Sequence, residues 1–504
     1  MRFARPGFWI VLFWLVTAAW LIRYEAFPGW FVGRTQSYRE LLGDGLLVLD
    51  SWMRVSLHDQ PIGYTHTWLD SDTVDGRQRY TLRNQTSLNL SLMGETRAVA
   101  LTLQAALDDT YRLMHFFTAM HSGNYNVRID GQRIGPQRFR LTVRTPGDTR
   151  ETEVDLPDDV LLHTPMNELI LGQLAPGQST LLRMFNPLTQ GIDELRVNAL
   201  RHEQITVDGQ EYDTTLLQMF YHGMELRAWV DRTGQAVRQE TPFGLVMELT
   251  TAAAAGRIET ALPPAELLFD MAVPVTGVIR DPRGSAALDL QIGGAPETAG
   301  LESARQQIIA RDAQQVTLRV RRQTAPNPDE QQDPPAELQP WLQPEPGLQS
   351  DHPEIIARAR TIAAGREGWP LVRAIGAWVH ENVAKEAAVS LPSAVDVLHE
   401  LSGDCNEHTY LFVALARALG LPARVHVGLV YAELDNQRSA FYYHAWPAVW
   451  LNGQWLETDP TLGQELADAT HITLAVGGLE RQMELLGILG RMRITVLGEY
   501  AEMP

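Results

Sequence analysis

A run rich in proline, glutamine and glutamate, residues 324–349 (TAPNPDEQQDPPAELQPWLQPEPGLQ), divides this chain into two parts with different patterns. Its prolines fix φ and remove backbone donors, so the run favours extended backbone and prevents a helix. We therefore predict a linker, or a connection that follows the surface, over residues 323–350. The chain of 504 residues is in any case too long for one ordinary hydrophobic core.

Upstream of this run the sequence is strand-like. Residues 82–92 (LRNQTSLNLSL) alternate apolar and polar side chains, and pairs such as Asp130-Gly131 and Asp208-Gly209 are typical of turns between strands. Many short strands at modest spacing predict a large antiparallel all-β region, in the form of a sandwich, half-barrel or curved sheet. We divide it into a β-rich domain at 51–260 and an additional β-region at 261–322.

Downstream of the run the pattern becomes mixed. Residues 353–364 and 370–386 have helical periodicity, and strand-like segments follow residue 423. This order predicts a C-terminal α+β domain at 351–480, followed by a C-terminal tail at 481–504.

The first residues, 1–23 (MRFARPGFWIVLFWLVTAAWLIR), have the pattern of a membrane anchor or signal segment. Arg2 and Arg5 form a positive flank, and residues 7–22 are uncharged and largely apolar. We favour a retained single-pass helix in the inner (cytoplasmic) membrane, with a juxtamembrane linker at 24–50 and the bulk of the chain periplasmic or otherwise extracytoplasmic. Cleavage after the small residues near position 18 stays open.

Charge and cysteine content restrict the function. The formal net charge of −19 disfavours nucleic acid as a partner, because phosphate binding requires a basic surface. Histidine–glutamate pairs occur, but none has the second histidine of a zinc-protease motif, so we predict no metal site and no cofactor. The single cysteine cannot form an internal disulfide, and in an exported domain it must be either buried or chemically needed.

That cysteine lies in the stretch 402–408 (SGDCNEH), directly before a predicted helix at 406–419. Backbone N–H groups and the helix dipole at such a position stabilise a thiolate, so we expect the pKa of Cys405 to be lowered. Asp404 and Glu407 are typical capping residues. A small buried apolar cysteine is the alternative interpretation, and His408 is a rival base.

A hairpin predicts a partner for the thiol. Asn452-Gly453 is a strong two-residue turn signal, and it sets Leu451 opposite Gln454 and Trp450 opposite Trp455. Counting back along the same register sets residue 446 opposite 459. His444 and Asp459 then become diagonal neighbours on one face, within side-chain reach. Pro447 and Pro460 leave a slip of one residue open.

In combination, GDC at 403–405, RALGLPARV at 417–425, HAW at 444–446 and DPT at 459–461 resemble the core of the transglutaminase-like superfamily, with its papain-like cysteine chemistry. The resemblance covers about 390–472. It implies that Cys405 is the nucleophile, that His444 is the general base and acid, and that Asp459 orients His444.

The resemblance further implies an enzyme that forms a thioester from an amide in a protein or peptide substrate. With the predicted membrane anchor at 1–23, we expect this enzyme to be exported and membrane-anchored, with cell-envelope peptides among its candidate substrates. Amine transfer, as in a transglutaminase, and hydrolysis, as in a cysteine protease or amidase, both stay open. The alternative is a catalytically idle binding or scaffold protein of the cell envelope. Chemical labelling of the thiol and its dependence on His444 distinguish the two.

Overall fold

The structure is a computed structural model, and it describes residues 33–34, 50–74, 76–92, 95–162, 174–241, 244–258, 272–294, 301–312, 314–326, 334–388, 390–391, 393–434 and 438–502. The predicted membrane segment at 1–23 lies outside the described residues, as does most of the predicted linker at 24–50. Within the described ranges, no helix is both long enough and apolar enough to cross a bilayer.

The β-rich region forms one curved sheet of sixteen strands within the described part of the chain. They are β1 Gly33–Arg34, β2 Asp50–Leu57, β3 Gln60–Val74, β4 Arg77–Leu92, β5 Glu95–Leu107, β6 Leu113–Ser122, β7 Tyr125–Arg133, β8 Arg138–Arg144, β9 Thr149–Asp155, β10 Val160–Leu162, β11 Ser179–Asn186, β12 Gly191–Val207, β13 Gln210–Tyr221, β14 Met224–Asp231, β15 Ala236–Glu240 and β16 Leu245–Thr250. A short helix, α1 Ala252–Ile258, follows. The large antiparallel all-β region that the alternation predicts is therefore present.

Two meanders, β2–β9 and β11–β16, make up this sheet, and β16 pairs with β2 to join them. The sheet curls so that its two halves face each other across a shared core. The rings of Phe116 on β6 and Phe185 on β11 meet edge to face with their centroids 5.8 Å apart. Alternate side chains point into this concave side, as the period of two along each strand requires.

One of the predicted turns is wrong. Asp130-Gly131 lies inside β7, where Gly131 pairs with Phe116 on β6 and Leu141 on β8. A Cβ at Gly131 would lie 2.1 Å from the Phe116 ring, so this glycine permits a close approach of ring and backbone. Asp208-Gly209 does form a turn, and both residues have positive φ.

The C-terminal part is an α+β unit. Its helices are α2 Pro353–Ala363, α3 Gly368–Asn382, α4 Ala394–Glu400, α5 Cys405–Ala418 and α6 Leu479–Leu489. Its strands are β17 Val273–Thr276, β18 Ala287–Gly293, β19 Gln306–Arg311, β20 Gln315–Arg321, β21 Ala384–Lys385, β22 Ser402–Gly403, β23 Ala423–Leu434, β24 Arg438–Leu451, β25 Gln454–Glu457, β26 Ile472–Val476 and β27 Arg493–Tyr500. Helix α5 is buried along almost its whole length between the other helices and β23–β24.

The second sheet extends beyond the boundaries drawn from sequence. Its strand order is β19-β20-β18-β27-β17-β24-β23-β26, with β25 on β24. Strands β17–β20, from the predicted additional β-region, therefore share a sheet with the α+β unit. The predicted C-terminal tail contains the end of α6 and all of β27, which pairs with both β17 and β18.

The described end of the proline-rich run follows the surface of the α+β unit. A 3₁₀ helix spans Ala336–Leu342, and its Trp341 packs edge to face on Trp455 at 6.2 Å. Glu345 binds the buried guanidinium of Arg417 on α5 at 2.7 Å, and Gln349 donates to Ser393. Aromatic and charged contacts hold this part of the run to the domain.

The β-rich region contacts the α+β unit just before Cys405. The backbone N–H of Gly147 donates to the Asp396 carboxylate on α4 at 2.7 Å, and the Tyr125 hydroxyl donates to the carbonyl of Ser402 at 2.5 Å. The segment that leads into α5 is therefore held from outside its own domain.

A buried ion pair joins the additional β-region to the α+β core. Arg305 Nη1 lies 2.6 Å from Glu457 Oε2, and both side chains are at most 3% exposed. The other terminal nitrogen of Arg305 donates to the carbonyl of Asp468 at 2.5 Å. Burial alone would raise the pKa of Glu457, but the charges of Arg305 and His426 outweigh it and lower that pKa.

Arg305→Met should lower the free energy of unfolding by roughly 3–5 kcal/mol, because it leaves Glu457 charged, buried and unpaired. Urea unfolding followed by tryptophan fluorescence measures this. Adding Glu457→Gln to the variant should restore part of the loss. Arg481→Met, which breaks an exposed pair with Glu484, is the control, and solvent screening limits its effect to about 0–1 kcal/mol. Equal losses in the two arginine variants would contradict the account.

Candidate active site

The single thiol lies at the first turn of α5. Asp404 caps the helix by accepting from the Asn406 N–H at 2.8 Å, and the Glu407 carboxylate accepts in return from the Asp404 N–H at 2.8 Å. The predicted capping roles of Asp404 and Glu407 are therefore confirmed. Gly403 has φ +152°, and a Cβ there would lie 2.4 Å from the Glu407 side chain, so the residue before the cap must be glycine.

The hairpin from β24 to β25 has the predicted register over its paired length. Leu451 pairs with Gln454 and Trp450 with Trp455, and residues 452 and 453 both have positive φ as a tight two-residue turn requires. The ladder ends at the pair of Ala448 and Glu457, so the predicted opposition of residues 446 and 459 does not form. The backbone of Asp459 exchanges hydrogen bonds with Gln464 instead.

His444 and Asp459 nevertheless meet. His444 Nε2 lies 2.8 Å from Asp459 Oδ2, and both side chains are buried. Burial alone would raise the pKa of Asp459, but His444 and His471 outweigh it and hold that pKa well below its usual range. An ionised carboxylate only accepts, so Nε2 carries the proton and Nδ1 keeps the lone pair.

The Cys405 thiol lies against the same strand. The backbone N–H of Ala445, one residue beyond His444, acts to lower the pKa of this thiol, and the sulfur interacts electrostatically with the side chains of Tyr443 and Asp459. The structure thus gathers all three residues that the sequence analysis names as catalytic: Cys405, His444 and Asp459.

The expected lowering of the pKa of Cys405 is wrong. Burial raises the pKa of this thiol well above its ordinary value, and the nearby Asp404, Glu407 and Asp459 carboxylates raise it further. The Ala445 N–H acts in the opposite direction without offsetting them. The helix N-terminus was a correct signal for position, but burial first and these carboxylates second determine the direction of the pKa shift, and the resting sulfur is a neutral thiol.

A second histidine, which the sequence analysis missed, contacts the same carboxylate. His471 Nε2 lies 3.0 Å from Asp459 Oδ2, and its Nδ1 lies 3.1 Å from Asp468 Oδ1. Burial alone would lower the pKa of His471, but the two carboxylates outweigh it and raise that pKa. Both ring nitrogens face acceptors, so His471 is an imidazolium that donates to Asp459 and Asp468.

His408, the rival base of the sequence analysis, and His426 both serve the packing. His408 is fully buried, and its ring nitrogens contact the backbone carbonyls of Asp404 at 2.7 Å and Val383 at 3.2 Å. His426 is buried on β23 against Thr473 and Glu457. These contacts of the two imidazole rings indicate a structural role for both histidines.

Trp446 forms one wall of the site. Its ring stacks on His444 with centroids 5.9 Å apart and meets His471 edge to face at 5.0 Å. Its indole N–H donates to Glu457 at 2.7 Å. Because Glu457 is held by Arg305, the additional β-region supports the wall against which both histidines pack.

The histidine–aspartate cluster also has the donor set of a metal site. His444, Asp459 and His471 each offer one ligand atom, and these atoms lie within 4.8 Å of one another. A divalent ion there would have to displace the hydrogen bonds from both rings to Asp459. The raised pKa of His471 and its second carboxylate fit an imidazolium between two acceptors better than a neutral metal ligand.

Comparison with known proteins agrees with this geometry. The transglutaminase-like superfamily core matches residues 357–460, a span that contains α3, α4, α5 and the β24–β25 hairpin. Residues 357–460 are a transglutaminase-like core. The match includes Cys405, His444 and Asp459, whereas Arg305 and His471 lie outside it.

Other similarities are more distant. An uncharacterized protein of Mycobacterium leprae is 30% identical over 128 residues, which are 24% of this chain and 45% of that protein, so the chain spans less than half of that relative. A Cytophaga hutchinsonii protein, named as a candidate cysteine protease, is 19% identical with a TM-score of 0.31 and covers 42% of this chain and 81% of its own. The periplasmic domain of TgpA from Pseudomonas aeruginosa, solved with ethylmercury, is 22% identical with a TM-score of 0.25, covering 41% of this chain and 88% of its own.

The cluster around Asp459 predicts a bell-shaped pH dependence for His471→Gln. Because the pKa of His471 is raised in the folded protein, its charge stabilises the fold below about pH 6.5, and this effect is lost as the pH rises through the folded-state pKa. The lowered pKa values of Asp459 and Asp468 stabilise the fold above about pH 4. The free energy of unfolding of wild type should therefore exceed that of His471→Gln by the largest margin between about pH 4 and 6.5. Urea unfolding at a series of pH values measures the difference.

His399→Gln is the control for this comparison, since His399 binds Glu354 at the surface and touches none of the cluster. The difference in free energy of unfolding between His399→Gln and wild type should stay small across this pH range. A His471→Gln difference that increases between pH 7 and 9 is incompatible with a charged His471.

Proposed function

We propose that this protein is a cysteine enzyme of the transglutaminase-like superfamily that acts on an amide in a protein or peptide. One observation carries the proposal: His444 and Asp459 form a buried hydrogen bond, and Asp459 also interacts electrostatically with Cys405, the only cysteine in the chain. A protein that only binds partners has no need of this arrangement. The superfamily match at 357–460 supports the same conclusion.

The chemistry begins from a neutral thiol. His444 Nδ1 takes the proton of Cys405 as sulfur attacks the amide carbonyl, so a C–S bond forms and the carbonyl π pair moves to oxygen. His444 then gives this proton to the nitrogen as the C–N bond breaks, which leaves a thioester and a free amine. Water or a second amine completes the cycle with His444 again as base. Asp459 holds the ring in the required tautomer and balances its positive charge.

The oxyanion requires donors near the sulfur. The capping box uses the N–H groups of Asp404, Asn406 and Glu407, so the Cys405 N–H lies outside it at the open end of α5. The Tyr443 hydroxyl donates to Asn406 Oδ1 at 3.4 Å in the resting protein, and burial and the neighbouring Cys405 and Asp404 raise the pKa of the phenol. A phenol that stays protonated can turn this long hydrogen bond from Asn406 to an oxyanion, and we assign Tyr443 as the second donor on that basis.

Export and membrane anchoring belong to the proposal as well. They rest on the arginine flank and apolar run of residues 1–23, which would place the transglutaminase-like core outside the cytoplasm with access to cell-envelope peptides. The idle scaffold is the competing function, and it predicts binding without turnover.

Turnover tests the proposal directly. The full chain is incubated with glutamine-containing peptides and with cell-envelope peptides, with and without a biotinylated pentylamine, and mass spectrometry detects amine transfer, deamidation and cleavage. Asp459→Asn should lower turnover by about 10²–10⁴-fold because it removes the group that orients His444, and Cys405→Ser should abolish it. His399→Gln should match wild type. If wild type modifies none of these peptides while still binding some of them, the scaffold function replaces the enzyme.

Tyr443→Phe tests the oxyanion assignment. Removing one donor from a developing oxyanion costs roughly 10²–10³-fold in turnover, with little change in KM because the charge exists only in the transition state. Steady-state kinetics on the peptide found above measures both constants. Unchanged kcat would exclude Tyr443 as a donor without affecting the role of Cys405.

A further inference from the structure

The concave face of the β-rich sheet encloses a cavity of about 430 Å³. Its walls come from both halves of the sheet, from β2–β6 on one side and from β11–β16 on the other. Pockets of roughly 300–1,000 Å³ are typical of sites for small molecules. None of the residues that line the cavity belongs to the proposed catalytic site.

Flexible apolar side chains form most of the cavity wall. Met53 and Met247 lie on the strands that join the two halves, and Met184 and Met219 line the opposite side, together with several leucines. Methionine is unbranched and polarizable, so such walls adapt to a long chain of variable shape. The lining predicts an aliphatic ligand.

A row of neutral polar side chains, interrupted by Leu103 on β5, crosses this apolar surface. Ser51 pairs with Thr67, Thr67 with Asn84, Asn84 with Leu103 and Leu103 with Thr118, on five adjacent strands. The Asn84 amide donates to the hydroxyls of Thr65 and Thr67, each at 2.8 Å. The Asn84 amide and these two hydroxyls therefore already have hydrogen-bond partners on neighbouring strands.

Thr118 is the exception. It is 7% exposed, lines the cavity, and its hydroxyl has no hydrogen-bond partner among the residues that the structure describes. A buried unpaired hydroxyl destabilises the fold, so a ligand that accepts a hydrogen bond there recovers that loss. A carbonyl oxygen is such an acceptor.

Charged groups are nearly absent from the described wall. Arg227 and Glu240 are the only charged residues among those that line the cavity, and each pairs outside it, with Glu225 and Arg238 respectively. A carboxylate or phosphate inside would lack a counter-charge and would pay a large desolvation cost. The ligand is therefore neutral.

We propose that this cavity binds a neutral long-chain acyl ester or amide. The aliphatic chain lies against the methionine and leucine walls, and the carbonyl oxygen accepts a hydrogen bond from Thr118. The inference is independent of the amide chemistry at Cys405, and each can fail without the other.

Displacement of a neutral fluorescent probe tests the site. The full chain is held in amphipol, so that no free detergent competes, and is titrated with N-phenyl-1-naphthylamine. Methyl oleate should displace the probe at least tenfold more effectively than ionised oleate at pH 9, because only the ester is uncharged. Equal displacement by the two, or no saturable probe binding, would overturn the proposal.

Two variants connect binding to the cavity. Met219→Trp fills it and should abolish probe binding, whereas Met114→Trp, on the exposed face of β6, should not. Thr118→Val replaces the hydroxyl with a methyl group. It should therefore weaken the binding of methyl oleate at least fivefold and leave the binding of 9-octadecene, which has no carbonyl, unchanged. Thr118→Val also removes an unpaired buried hydroxyl, so the variant should fold, as circular dichroism can check. Unchanged ester binding in Thr118→Val or in Met219→Trp would contradict the assignment.

Discussion

One carboxylate oxygen, Oδ2 of Asp459, accepts hydrogen bonds from two imidazoles inside the protein. With His471 charged on one side, Asp459 stays ionised although it is fully buried, and an ionised Asp459 fixes the tautomer of His444. The lone pair on Nδ1 of His444 is available to a neutral thiol only under that condition. The chemistry proposed for Cys405 therefore depends on a residue, His471, that does not touch the sulfur.

This arrangement requires support from distant parts of the chain. Arg305 holds Glu457, Glu457 holds the indole of Trp446, and Trp446 packs on both His444 and His471. Arg283 and Gln464 hold Asp468, the second acceptor of His471. The strands at 273–321 and 493–500 are thus part of the domain that positions the site, although the superfamily match ends at residue 460.

The sequence was sufficient where the signal is local. A cap and a tight turn each depend on a few adjacent residues, so the start of α5 and the paired length of the β24–β25 register could be predicted. His444 and Asp459 meet as expected, but beyond the end of that ladder, through the bridge of Asp459 with Gln464 rather than through the counted register. Arg305 and His471 are brought in by strand pairings across long separations, which no local pattern encodes. The predicted direction of the pKa shift of Cys405 was wrong for a related reason, because burial, its largest cause, depends on the whole fold, and the neighbouring Asp404 and Glu407 were interpreted only as capping residues.

The role of His444 as the base for a neutral thiol is the central claim, and alkylation of the single cysteine measures it most directly. The rate of reaction with iodoacetamide is followed by intact mass across pH 6–10 in wild type and in His444→Ala. At pH 7 wild type should react at least tenfold faster, with the difference closing at high pH, where hydroxide ionises the thiol in both proteins. Superimposable profiles would contradict the account, because Cys405 would then titrate without any assistance from His444.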